Sequence, residues 1–144
     1  VVLNPAPASE LSSRLLGSLF AITPNETEAE KISGIRITDE ASAEYAARRI
    51  ASMGVRNVIV TLGVRGALVF DGEHCERIPA YEMQAVDTTA AGDIFNGAFV
   101  VALSEGRSLP EAVRFACKAS AISVTRVGAQ SSAPYRTEVD IFNR

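Results

Sequence analysis

The segment Val-Ile-Val-Thr-Leu at residues 58–62 constrains the fold of this chain most strongly. It is β-branched or apolar throughout, so both of its faces require burial, which is typical of a parallel strand inside an α/β sheet. Shorter segments of similar character, at residues 1–3 and 20–23, alternate with stretches that carry apolar residues at helical spacing. This alternation predicts an α/β layered fold with a mainly parallel sheet flanked by helices.

Capping residues predict where the helices of the first half begin. Ser9 is a predicted N-cap for a helix whose leucines continue to position 19. A second helix is predicted to begin at Asn25 and end at Gly34, and a third to begin at Thr38 or Asp39 and end at residue 54.

The second half predicts a hairpin followed by helices. The pair Asp-Gly at 71–72 predicts a turn between strands Ala67–Phe70 and Cys75–Ile78. Helices are predicted over residues 94–104 and 110–125, with a short one beginning near Thr137. Because no repeat, low-complexity stretch or linker interrupts these elements, we expect the 144 residues to fold as one unit.

Composition excludes several functional classes. Apolar residues make up 47% of the chain, enough for a packed core, and the net charge of −3 argues against nucleic acid as the main partner. Cys75 and Cys117 are too few for a disulfide scaffold, and the lone His74 argues against a histidine-rich metal site. With no membrane-length apolar run and no signal peptide pattern, a cytoplasmic location is expected.

The run Ala90-Ala91-Gly92-Asp93 leads directly into an apolar helix. A turn of small residues lets a ligand approach the backbone, and free amides at the start of a helix attract anions. Asp93, beside those amides, could take a proton from a hydroxyl that attacks phosphorus. The alternative is that Asp93 only caps the helix.

The run Asn25-Glu26-Thr27-Glu28 presents a similar choice. Asn25 and Glu28 have the spacing of a capping box. Alternatively, Glu28 helps to hold hydrated Mg²⁺ near a phosphate.

Two loops after predicted elements are also candidates. Residues 61–66, Thr-Leu-Gly-Val-Arg-Gly, follow the best strand, where open α/β sheets usually bind ligands, although they fit any tight turn as well. Residues 126–132 form a polar loop that would also serve simply to end a helix. Neither a P-loop nor a dinucleotide fingerprint is present. Cys117, within a predicted helix, is expected to be a core residue.

Taken together, these motifs resemble the C-terminal half of the ribokinase-like kinases in the PfkB family of carbohydrate kinases. The resemblance covers essentially the whole chain, through residues 3–8, 23–30, 61–63, 85–93 and 124–130 in that order. Many family members carry Gly-Ala-Gly-Asp where this chain has Ala-Ala-Gly-Asp, a form similar to the ribose-specific members rather than to those acting on fructose or adenosine.

The resemblance implies ATP-dependent phosphorylation of the terminal hydroxyl of ribose. Asp93 would be the base and would contact the sugar, and the backbone of Ala90, Ala91 and Gly92 would form the anion hole. The implied nucleotide contacts are Asn25, Thr61, Gly63, Val64, Arg65, Gly66, Gly92, Asp93 and Cys117. Position 117 departs from the histidine associated with ribokinase-like members.

Two metal ions are implied by the same resemblance. Glu28 would act on Mg²⁺ through water. A monovalent cation, usually K⁺, would be held by Asp87, Thr89, Ser123, Arg126, Gly128 and Ser132, several of them through backbone carbonyls.

The resemblance further implies that the sugar-binding motifs and a small β lid belong to an N-terminal half that these residues do not match. Three interpretations stay open: part of a working ribose kinase, a non-catalytic nucleotide-binding remnant, or a kinase for another sugar or nucleoside. The apolar segment at residues 1–3 would be an open sheet edge, which predicts self-association as a homo-oligomer. A monodisperse monomer in sedimentation at micromolar concentration would contradict that expectation.

Overall fold

The computed structural model describes residues 1–142 of the chain. Its elements, in chain order, are β1 (Val2–Leu3), α1 (Ser13–Ser18), β2 (Ala21–Ile22), α2 (Glu26–Ser33), α3 (Glu40–Ala51), β3 (Asn57–Thr61), β4 (Ala67–Phe70), β5 (Cys75–Ile78), α4 (Ala91–Ser104), α5 (Leu109–Ser123) and α6 (Arg136–Ile141). None of the helices within residues 1–142 is both long and apolar enough to span a bilayer.

The five strands form one sheet in the order β1-β2-β3-β4-β5. Strands β1, β2 and β3 run parallel, with Val2 opposite Ala21 and Ile22 opposite Val58. Strand β4 is antiparallel to β3. The predicted α/β fold with a mainly parallel sheet is confirmed, and the two strands of the predicted hairpin, β4 and β5, are neighbours in it.

The chain divides into two compact units, whereas the absence of a linker led us to expect one. The first comprises Val1–Gly63 and Ala67–Arg77, and the second comprises Val64–Gly66 and the chain from Ile78 onward. In the first unit, strand β3 is buried on both faces over residues 57–60, as its sequence predicts. Helices α1 to α3 contribute Leu16, Ala29 and Ile50, among others, to the core around it.

The second unit is built on the packing of α4 and α5. Phe95 and Phe99 of α4 are buried, with their rings stacked at 6.4 Å between centroids. Helix α5 buries several small side chains, including Ala112, Ala116 and Ala119, and small side chains permit close helix packing.

Several predicted boundaries were wrong by a few residues. The first helix begins after Ser12 rather than Ser9, because the hydroxyl of Ser12 accepts the amide hydrogen of Leu15 at 3.2 Å. Asp39, not Thr38, caps α3, which ends at Ala51 instead of extending to residue 54. Helix α4 begins three residues before the predicted start at 94, so the run at 90–93 lies in its first turn.

Candidate functional site

The start of α4 lacks the usual side-chain cap. Its N-cap residue, Ala90, has a left-handed backbone with φ of 60°, and among residues 1–142 it is the only non-glycine with positive φ. Ala91 donates its amide hydrogen to the carbonyl of Thr88 at 3.2 Å. Within the described residues, the amides of Gly92 and Asp93 donate no hydrogen bond. Two backbone donors are thus available at the positive end of a 14-residue helix.

Asp93 occupies the third position of α4, and its side chain is exposed. Because Ala90 is the N-cap and receives no side-chain bond, the capping alternative for Asp93 is wrong. Its carboxylate accepts no hydrogen bond from any described residue, so both of its oxygens are available next to the free amides. An acid here is also electrostatically favourable, because the helix N-terminus carries partial positive charge.

The turn before α4 is fixed by the end of α5. The carbonyl oxygen of Val124 accepts hydrogen bonds from the amides of Val86 and Asp87, at 2.7 and 3.1 Å. The hydroxyl of Ser120 donates to the carbonyl of Ala91 at 3.2 Å. The position of the two free amides is therefore determined by α5 as well as by α4.

Asp87 joins this turn to the loop at residues 126–132. One carboxylate oxygen accepts the amide hydrogen of Thr89 and the other accepts that of Gly128, both at 2.9 Å. A hydrogen bond from the Thr89 side chain, together with these two amide bonds, lowers the pKa of Asp87 to about 2, so the group stays ionised. The structure thus brings together three of the predicted cation ligands.

Of the other predicted cation ligands, Ser123 is the last residue of α5, and Arg126 and Ser132 lie in the loop at 126–132. The amide of Arg126 donates to the carbonyl of Ser123 at 3.0 Å, and the buried hydroxyl of Ser132 donates to the carbonyl of Ala129 at 2.8 Å. Within residues 1–142, the carbonyls of Arg126 and Gly128 accept no hydrogen bond. An ionised carboxylate with carbonyl oxygens nearby is a set of hard oxygen donors, which fits a cation such as K⁺.

In the first unit, the capping box predicted at the start of α2 is confirmed. The amide of Glu28 donates to the side-chain oxygen of Asn25, and the amide of Asn25 donates to the Glu28 carboxylate, both at 2.9 Å. Asn25 also forms a parallel bridge with Thr61, at the carboxyl end of β3. The structure therefore places Asn25 beside Thr61, with Glu28 on the adjoining turn of helix.

The loop after β3 contains a 3-10 turn at Gly63–Arg65, in which Val64 is 96% exposed. Gly66 has φ of 94°, and a Cβ atom there would lie 2.0 Å from the carbonyl oxygen of Ile78. Only glycine permits this approach of two backbone segments. Val64 and Arg65, two of the predicted nucleotide contacts, lie on this turn.

Cys117 is a core residue, as predicted. It is buried in α5, and burial raises the pKa of its thiol to about 12, so the sulfur remains protonated at neutral pH. Burial likewise raises the pKa of Cys75 to about 11, and neither cysteine forms a disulfide. In the part of the chain that the structure describes, no three His, Cys, Asp or Glu side chains form a group able to hold a metal ion.

A family model for pfkB family carbohydrate kinases matches residues 1–136. This chain belongs to the PfkB family of carbohydrate kinases. Ribokinase from Haemophilus influenzae is 52% identical over 138 residues, which cover 96% of this chain and 45% of that protein. The chain therefore spans about half the length of the curated relatives that it matches.

Solved structures agree with this assignment. Ribokinase from Thermotoga maritima is 45% identical, with a TM-score of 0.87 over 96% of this chain and 47% of that one. Arabidopsis thaliana ribokinase, solved in complex with ribose and ATP, is 34% identical, with a TM-score of 0.87 over 96% of this chain and 45% of that one. The resemblance to ribokinase-like members of the PfkB family is confirmed.

Sequence reasoning did not identify Glu138 of α6. Its carboxylate pairs with the guanidinium of Arg126, 12 residues earlier. No local spacing signals this pair, because the two residues are brought together only by the packing of α6 beside the loop at 126–132.

Proposed function

We propose that this protein provides the phosphoryl-transfer machinery of an ATP-dependent sugar kinase acting on the terminal hydroxyl of D-ribose. The observation that carries the proposal is the juxtaposition of two free amides and an unpartnered carboxylate in the first turn of α4. Membership of the PfkB family, and the similarity to ribokinases, support ribose as the acceptor and ATP as the donor.

The proposed reaction uses Asp93 as the general base. Its carboxylate takes the proton of the sugar hydroxyl, the hydroxyl oxygen forms a bond to the γ-phosphorus, and the bond from that phosphorus to the bridging oxygen breaks to release ADP. The amides of Gly92 and Asp93, in the turn formed by Ala90 and Ala91, stabilise the negative charge on the phosphoryl oxygens. Such fixed backbone dipoles need no reorganisation as the charge develops.

Nucleotide contacts are proposed in each unit separately. In the first unit, Asn25, Thr61 and Gly63 are proposed to contact the nucleotide. In the second, a further set of residues has this proposed role: Val64, Arg65, Gly66, Gly92, Asp93 and Cys117. Because Cys117 is protonated and buried, its proposed contribution near the adenine is apolar packing.

The oxygen atoms available in each unit fit the proposed metal ions. Glu28 uses one carboxylate oxygen in the capping box, and its second oxygen accepts no hydrogen bond within residues 1–142, which suits an indirect contact to hydrated Mg²⁺. K⁺ would be held by Asp87 with oxygens from Thr89, Ser123, Arg126, Gly128 and Ser132. When bound, these ions would supply positive charge near the phosphates.

Replacing Asp93 with Asn tests the proposed base. Asp93→Asn keeps the shape of the side chain and removes its basicity, so we expect turnover to fall by about 10²- to 10⁴-fold, with ATP affinity within about threefold of the wild type. A coupled ADP-release assay with ribose, Mg²⁺ and K⁺ measures the first, and calorimetric titration with ATP measures the second. A variant with near wild-type turnover would show that Asp93 is not the base.

Two further candidates stay open: a non-catalytic nucleotide-binding remnant, and a PfkB-family kinase for another sugar or nucleoside. A panel of ribose, deoxyribose, fructose and adenosine separates the candidates. Turnover with one acceptor identifies the kinase and its substrate, whereas ATP binding without turnover on any of them supports the remnant. Self-association through the open edge of β1 stays a prediction, to be checked by sedimentation.

A further inference from the structure

Arg126 and Glu138 form a two-pronged ion pair between the loop at 126–132 and helix α6. One guanidinium nitrogen of Arg126 donates to Glu138 Oε2 at 3.4 Å, and the other makes a short bond to Oε1. Glu138 Oε2 also accepts the amide hydrogen of Tyr135 at 2.7 Å, which fixes the carboxylate at the start of its own helix. Both side chains are about one-third exposed, so the pair contributes little to overall stability.

Helix α6 is a fixed attachment point because several other contacts hold it. Arg136 pairs with Glu105, at the end of α4, and with Asp140 within α6. The guanidinium of Arg136 also lies over the ring of Phe115 on α5, 5.2 Å from its centroid. After α6, Lys118 Nζ donates to the carbonyl of Phe142 at 2.9 Å. Through Glu138, this anchored helix restrains the loop at Arg126.

The restraint falls on a residue of the proposed cation site. The carbonyl of Arg126 accepts no hydrogen bond within residues 1–142, and two residues later Gly128 donates its amide to Asp87. The positive charge of Arg126 would oppose a cation bound at its own carbonyl. A carboxylate paired with that guanidinium removes much of this repulsion while fixing the backbone.

We infer that Glu138 is a positioning residue for the monovalent-cation site, acting through Arg126 and making no contact with the cation. The inference rests on the cation site of the proposed function. In support, the Glu138 carboxylate bonds to two guanidinium nitrogens of Arg126 and to the amide of Tyr135, so it fixes the Arg126 side chain relative to α6. Residues that orient the ligands of a metal without contacting the metal itself affect metal affinity substantially.

The experiment compares Glu138→Gln with Asp140→Asn. Glu138→Gln keeps an acceptor for Tyr135 but loses the charge that pairs with Arg126. Asp140→Asn is the matched control, because it removes a carboxylate that also pairs with an arginine on the same helix, away from the loop. Melting temperature is measured against KCl concentration, with choline chloride keeping the ionic strength constant.

In the wild type and in Asp140→Asn, we expect K⁺ to raise the melting temperature with the same half-saturating concentration. In Glu138→Gln, we expect that concentration to rise about tenfold. Arg126→Lys keeps the charge but cannot bond both carboxylate oxygens, so it should also raise the half-saturating K⁺ concentration. This variant tests the inference if Glu138→Gln folds poorly.

If Glu138 has a purely structural role, Glu138→Gln will lower the melting temperature equally in both salts and leave the half-saturating K⁺ concentration unchanged. That result would overturn the inference about Glu138 but not the proposed cation site. Absence of any K⁺-specific stabilisation in the wild type would overturn the proposed cation site and the inference with it. Turnover with ribose and ATP, measured separately, distinguishes that failure from failure of the proposed kinase activity.

Discussion

The starts of α2 and α4 differ in whether side chains accept hydrogen bonds from their backbone amides. At α2, the side chains of Asn25 and Glu28 form a reciprocal pair of 2.9 Å hydrogen bonds with each other's amides. At α4, the N-cap is Ala90, no side chain caps the helix, and the amides of Gly92 and Asp93 have no partner among residues 1–142. One helix start is closed by its own side chains and the other is open.

This difference determines which ligand each start can attract. The closed start has the amides of Asn25 and Glu28 occupied and presents carboxylate oxygen, which suits cations and their hydration water. An open start presents N–H donors, which suit phosphate. Two runs that looked equally ambiguous in the sequence are therefore suited to opposite charges.

The largest expected effect comes from adding negative charge to the open start. A side chain at position 92 would have free space, because an added Cβ meets nothing within 4 Å. Gly92→Asp should therefore fold, yet weaken ATP binding at least about tenfold through repulsion of the phosphates. Gly92→Ala is the control, since it adds the Cβ without the charge. If calorimetry shows the two variants binding ATP equally, the open start is not a phosphate site.

A substitution in the closed start should change the free energy of unfolding. Asn25→Ala removes the acceptor for the amide of Glu28, and we expect the free energy of unfolding to fall by about 1 kcal/mol. Urea unfolding followed by circular dichroism measures the change. A loss below about 0.3 kcal/mol would mean that the capping box adds little and that the two starts differ less than their hydrogen bonds indicate.

Ala90→Gly, measured in the same way, should raise the free energy of unfolding. A left-handed backbone costs alanine about 1 kcal/mol, while glycine adopts it freely. After the larger entropy of the unfolded glycine variant is subtracted, we expect a gain of about 0.5 kcal/mol. Destabilisation of about 1 kcal/mol, as for glycine inside an ordinary helix, would show that Ala90 is not strained in solution.

The smallest expected effect is a pH dependence at Asp87. Its pKa is lowered from 3.8 to about 2 in the folded chain, so the folded state favours the ionised form. The corresponding stabilisation is complete above about pH 5 and is lost as the pH falls through 4 towards 2. Asp87→Asn should flatten the fall in stability over this range, as measured by urea unfolding. An identical acid profile in wild type and variant would contradict the hydrogen bonds to Thr89 and Gly128.

The sequence predicted those features that depend on neighbouring residues. The structure contains three features that local pattern predicted: the buried strand, expected at 58–62 and found at 57–61, the hairpin at 71–72 and the capping box at Asn25. Ser9 misled the prediction because Ser12 is an equally good cap, and it is the hydroxyl of Ser12 that accepts the amide hydrogen of Leu15.

The candidate site was less predictable from the sequence. The run at 90–93 suggested free amides, but nothing in it specifies that Ala90 adopts a left-handed backbone and removes Asp93 from the capping position. The hydrogen bond from the amide of Gly128 to the carboxylate of Asp87 joins residues 41 positions apart in the sequence. The pairing of Arg126 with Glu138 depends on tertiary packing in the same way.

Gly66 has an evolutionary consequence that extends beyond the site. With the carbonyl oxygen of Ile78 only 2.0 Å from where a methyl carbon would stand, this position tolerates hydrogen and nothing larger. In a saturation mutagenesis library selected for folded protein, we would see glycine alone survive at 66. A homologue carrying another residue there would have to reroute the chain at residues 78–80.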